Sequence, residues 1–156
     1  MRFVFFLTLW VVAAIGHTAE GFPLSCQPIA VQEESVVLKA KQSLLVLVHN
    51  LSNSDLWITH PVSDPNTSAG WSSHLESGNW SALVVDKDPF ELSCIESKPG
   101  HEQQIPCAGV LGVCEWTTVK LPAQLKGTFW GGENMSLTAL TTYLGGRGFG
   151  LPAASQ

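Results

Sequence analysis

Apolar and polar residues alternate along most of this chain, in short runs separated by turn residues. Ser35 to Ala40 (SVVLKA) reads as a strand. Asp55 to His60 (DLWITH) reads as another, with Leu56, Ile58 and His60 on one face and Trp57 and Thr59 on the other. Leu44 to Asn50 (LLVLVHN) is apolar almost throughout, the pattern of a central strand buried on both faces. Trp71 to Leu75 and Trp80 to Val85 (WSALVV) add two more strands, and Val119–Leu121 and Thr128–Trp130 add shorter ones. Between them stand Lys41-Gln42, Leu51 to Ser54, Pro61 to Gly70, Glu76 to Asn79 and Asp86 to Pro89, rich in Ser, Asn, Asp, Gly and Pro. Short strands at this spacing predict a mainly β protein, an antiparallel β-sandwich of immunoglobulin- or cupredoxin-like architecture.

The stretch Phe90 to Trp116 carries three of the four cysteines. Phe90, Leu92 and Cys94 alternate with Glu91, Ser93 and Ile95, Lys98-Pro99-Gly100 breaks the run, and a second apolar run extends from Ile105 to Trp116. Gly109 and Gly112 within it point to a bulge or a close backbone approach. A turn near Gly100 sets Cys94 roughly opposite Cys107. On one straight strand, Cys107 and Cys114 would stand roughly 23 Å apart, so they can pair only if the glycine segment itself turns. One helix is expected near the C-terminus. Asn134 or Ser136 caps it, Leu137, Leu140 and Leu144 give its apolar stripe, and Gly145 stops it. It is too short to stand alone and must dock on the sheet. Phe149 and Leu151 are expected to return as a last edge strand.

The N-terminus changes the picture of where this fold works. Met1-Arg2, an apolar run from Phe3 to Ile15 and small residues after it form a secretory leader. The run is shorter than the ~20 residues of a membrane span. We assign residues 1–19 to the leader and residues 20–156 to one domain, whose lead-in to Glu34 is irregular, with no membrane span left after leader removal. Cys26, Cys94, Cys107 and Cys114 all lie in that domain, and an even count in an exported chain points to two disulfides. Three pairings are open; we favour Cys94 with Cys107 and Cys26 with Cys114. The net charge of −5 disfavours nucleic acid and anionic membranes as partners.

Candidate chemistry is sparse. His49, His60, Cys94 and His101 occur in an order that would suit a cupredoxin-like copper or redox site, although Cys94 to His101 is a long spacing and no Met follows His101 closely. The favoured reading is no metal and no cofactor. No serine sits in a G-x-S-x-G elbow, and disulfide formation would remove every thiol, so no catalytic residue is assigned and the chain is read as non-enzymatic. His101, Glu102, Gln103 and Gln104 form a polar cluster at the hairpin turn, a candidate recognition loop for a protein or envelope component. Asn50, Asn66, Asn79 and Asn134 open Asn-x-Ser/Thr triplets, which are glycan acceptors only in a eukaryotic secretory route.

The runs HNLSNSDLWITHPVSDPNTSAGWSSHLESGNWSAL, ESKPGHEQQIPCAGVLGVCEW and GTFWGGENMSLTALTTYLGGRGF resemble the small exported enhanced-entry (EnhB-type) proteins of Legionella-like bacteria, over nearly all of the chain after the leader. The resemblance implies a periplasmic or secreted protein associated with host-cell invasion and virulence. It implies no catalytic residue, and it dismisses the Asn triplets as glycan sites. If the cysteines are spent in cross-links, the purified protein will give no titratable thiol under denaturing conditions before reduction; a reactive Cys94 would favour the metal reading.

Overall fold

A computed structural model describes residues 21–61, 70–86 and 89–152. The expected leader lies outside these residues, as do positions 62–69 of the long loop. In chain order the described elements are β1 (Gln27–Pro28), β2 (Ser35–Leu38), β3 (Leu44–Asn50), β4 (Leu56–His60), β5 (Trp71–Leu75), β6 (Trp80–Val85), β7 (Phe90–Glu96), β8 (Gln103–Ile105), β9 (Leu111–Glu115), β10 (Phe129–Met135) and α1 (Leu137–Gly146). They form two antiparallel five-stranded sheets. The first runs β1-β9-β3-β6-β10; the second runs β2-β7-β4-β5, with β8 beside β7. β2 and β8 lie end to end along one side of β7, β2 pairing with Phe90 to Ser93 and β8 with Cys94 to Glu96. The expected β-sandwich with one C-terminal helix is the fold of this chain.

The near-continuous apolar strands explain the layering. Val46 and Val48 of β3 and Leu83 and Val85 of β6 face the second sheet, where they meet Val36, Leu38, Leu56, Ile58 and Leu92. Leu45 and Leu47, with Ala82 and Val84, face the opposite way, against Leu140 and Leu144 of α1, Trp116 and Phe149. Burying one such side chain is worth about 1.5–3 kcal/mol, so neither face of the first sheet can be left wet. The second sheet covers one face, and α1 with its flanking segments covers the other.

The helix starts where the Ser136 hydroxyl accepts the Ala139 N–H at 3.2 Å. It runs past the expected stop at Gly145. The residue with left-handed backbone is Gly148 (φ 87°), whose N–H donates to Gly145 O while the Phe149 N–H donates to Leu144 O. Docking of Leu144 on the sheet holds the last turn helical through Gly146. Close approach of helix and sheet also requires Gly132, at φ 62° in β10, because a Cβ there would collide with Leu140 and Tyr143.

The second run of the central hairpin is not one strand. β8 belongs to the second sheet and β9 to the first, and the chain crosses between them in a turn at Cys107–Val110, with Gly109 at φ 77°. Cys94 lies directly opposite Ile105, two positions short of Cys107. Cys94 and Cys107 are joined, with Cα atoms 5.4 Å apart, at the point where the chain leaves the second sheet. Cys26 and Cys114 are joined beside β1, at 5.5 Å. Two further expectations are corrected. The lead-in contains β1, paired through Gln27 and Pro28 to Glu115 and Cys114. Phe149 to Leu151 forms no edge strand but a single bridge, Gly150 to Lys120, because Phe149 turns into the layer beneath α1.

The two disulfides close loops of very different length, with sequence separations of 88 and 13 residues. Chain entropy gives them about 4.5 and about 3 kcal/mol. Urea unfolding of the paired variants Cys26→Ala/Cys114→Ala and Cys94→Ala/Cys107→Ala is therefore expected to show the larger loss for the first.

Candidate recognition surface

The second sheet is apolar on one side only. Its outward positions alternate with Leu56, Ile58, Leu92 and Cys94, and the strand register assembles them into rows. Trp57 stands between His74 of β5 and Ile95 of β7, and Ile95 faces Gln104 of β8. Thr59 stands between Ser72 and Ser93. Trp57, Thr59, Ser72, Ile95 and Glu102 line a cleft of about 250 Å³ on this face. The His74 and Trp57 rings pack at a steep mutual angle of 61°, with centroids 5.0 Å apart. On its far side, His74 Nε2 lies 3.5 Å from Asp55 Oδ2, while Asp55 Oδ1 accepts the Ser77 N–H at 3.0 Å. Glu102 is exposed at the cleft rim.

The four residues of the candidate recognition loop are all exposed, but they are not one loop. Gln103 and Gln104 belong to β8, and the turn itself is closed by the His101 N–H donating to Lys98 O at 2.9 Å around Gly100 (φ 76°). Of the four, Glu102 lines the cleft, and Gln104 lies beside Ile95 on the same face. Lys98 is tied down by Glu96 at 2.8 Å. That hydrogen bond, with a smaller contribution from Ser54, holds the Glu96 carboxyl below its ordinary value. Trp57 carries the cleft, yet the sequence singled it out only as lying opposite Leu56 and Ile58. Its signal was an aromatic residue on the polar side of an alternating strand.

The four residues of the copper alternative are not brought together. Cys94 is bonded to Cys107, so its sulfur is no thiolate ligand. His49 lies on the first sheet, stacked on Trp80 at 3.9 Å, with Nε2 3.3 Å from Gly78 O. His60 lies on the second sheet, stacked on Phe90 at 4.0 Å, with Nδ1 2.8 Å from Glu91 O. His101 is exposed on the hairpin turn. Among the described residues, no group of three or more His, Cys, Asp or Glu is placed to hold a metal. Asn50 is equally committed. It is fully buried, its amide N–H groups donate to Ser54 O and Leu75 O, and its Oδ1 accepts from the Ser52 N–H and hydroxyl. Its side chain braces the β3–β4 turn and is closed to modification. Asn66 lies outside the described residues.

A second cleft, of about 370 Å³, lies under the C-terminus of α1, where the Arg147 guanidinium sits 5.7 Å from the Phe129 ring centroid. There the cation offsets the negative end of the helix dipole, which accounts for its position.

Burial holds the His49 imidazole below its ordinary value of 6.5, outweighing the opposing pull of the Gly78 carbonyl. The unfolded chain therefore takes up this proton at a higher pH than the folded one. Stability from this source is complete above 6.5 and declines as pH falls from there towards the depressed folded value. Urea midpoints taken from about pH 7.5 down to about pH 5.5 are expected to fall in the wild type. They are expected to fall less in His49→Phe, which keeps a ring against Trp80. Equal slopes in the two proteins would assign the dependence elsewhere.

Set against known proteins, the chain matches no protein-family model, no curated sequence and no solved structure.

Proposed function

We propose that this chain is an exported, non-catalytic binding module of the bacterial envelope or secretome, and that it recognises its partner through the outer face of the second sheet around Trp57 and Glu102. The observation that carries this reading is the cleft itself. An aromatic ring and an aliphatic side chain form its floor, hydroxyls and a carboxylate its rim, and a disulfide-pinned hairpin fixes one wall. Rigid aromatic anchors ringed by polar groups are the usual anatomy of a binding surface. Two disulfides fit a chain that works outside a reducing cytosol, in the periplasm or beyond the cell. The resemblance to EnhB-type proteins ties the module to host-cell invasion.

A non-catalytic role fits the hydroxyls and imidazole on this face. Ser72 and His74 are two positions apart on β5, so their Cα atoms stand roughly 7 Å apart. No hydrogen bond among the described residues joins Ser72 to His74, so the Asp55–His74 contact does not extend to a nucleophile.

The test is capture from an envelope fraction by immobilised protein, comparing wild type with Trp57→Ala and with His101→Ala/Glu102→Ala. The exposed double variant should keep its stability to within about 0.5 kcal/mol and still lose the partner that the wild type retains. Identical capture by all three proteins would overturn this assignment of the surface.

A further inference from the structure

We infer that the Trp57 cleft takes a cationic side chain, an arginine or lysine borne by a polypeptide partner; this rests on the recognition surface proposed above and names its ligand chemistry. The aromatic face comes first. An indole face is the negative pole of the ring quadrupole and attracts an ammonium or guanidinium within about 6 Å of its centroid. Trp57 lines the cleft, between Ile95 on β7 and the His74 ring on β5. The carboxylate comes second. Asp55 is already engaged by His74 and the Ser77 N–H, whereas Glu102 makes no ion pair among the described residues and stands at the rim. Thr59 and Ser72 add hydroxyl acceptors that suit a guanidinium with several N–H donors.

Charge complementarity decides between ligand classes. The strands of the second sheet carry no lysine or arginine. Glu91 is exposed on the same face, and Lys98 on the neighbouring turn is paired with Glu96. An anionic group brought to the cleft meets the Glu102 carboxylate, and none of the strand residues around it supplies a Lys or Arg cation. A neutral saccharide would find hydroxyls, an aromatic ring and a hydrogen-bond acceptor in the carboxylate, but no charge pairing. A cation gains from the ring, the carboxylate and the chain's net charge of −5 together. The cleft volume, about 250 Å³, admits one long side chain with its stem along Ile95.

The experiment titrates the purified protein with acetyl-Gly-Arg-Gly-amide, following the indole N–H resonance of Trp57 by NMR, with the citrulline peptide as an isosteric uncharged control. The arginine peptide should shift that resonance saturably, and the citrulline peptide should bind about tenfold or more weakly. Glu102→Gln, an exposed change that leaves the fold intact, should weaken the arginine peptide about tenfold, and added salt should weaken it further. Equal response to the two peptides, no response to either, or tighter saturation by maltotriose would each overturn the inference. Any of these would leave the site-dependent capture of a partner standing, so the two readings fail separately.

Discussion

The constraint on which this fold depends is that its first sheet is apolar on both faces. β3 and β6 place aliphatic side chains on alternate sides with no polar side to spare, so the sheet must sit between two covers. The second sheet provides one. The other is assembled from pieces that could not fold alone: a helix of 10 residues, the segment around Trp116 and Val119, and Phe149. The Schellman closure at Gly148 and the close approach at Gly132 serve this docking, since they let α1 lie flat on the strands.

The same constraint locates the recognition surface by exclusion. Among the described residues, with the first sheet covered on both sides, the large sheet face left open is the outer face of the second. That face is polar in the ordinary way of a solvated sheet, except at Val37, Trp57 and Ile95, the last two set side by side on β4 and β7 by the register. Half-buried apolar side chains on an otherwise hydrophilic face are what a partner would be expected to exploit.

Much of the fold was legible in the residues, for a physical reason in each case. LLVLVHN and WSALVV lack a polar face, so they could only be strands covered on both sides. The turn residues Lys98-Pro99-Gly100 fixed where β7 must reverse. The helix stop was misplaced because Gly145, Gly146 and Gly148 are chemically equivalent. Only the depth to which Leu144 docks selects the third. In the run from Ile105 to Trp116 the glycines mark a bulge, close approach or turn, but apolar patterning does not record a change of sheet; the left-handed turn at Gly109 makes it. The candidate site was harder to see. Glu102 stood out as part of a polar cluster, but its neighbours Trp57, Thr59, Ser72 and Ile95 come from three strands, and only cross-strand register brings them together.

The placement of the cross-links carries a final consequence. Cys94 and Cys107 belong to the core between the sheets, Cys26 and Cys114 to the layer on the far side of the first sheet. The first sheet is thus a partition between the two sulfur pairs. Thiol–disulfide exchange needs a thiolate to reach a sulfur of the other pair, and in the native molecule the wall of strands forbids that encounter. Scrambling must wait for the partition to come apart. Once correctly oxidised, the protein is guarded against reshuffling by its own architecture.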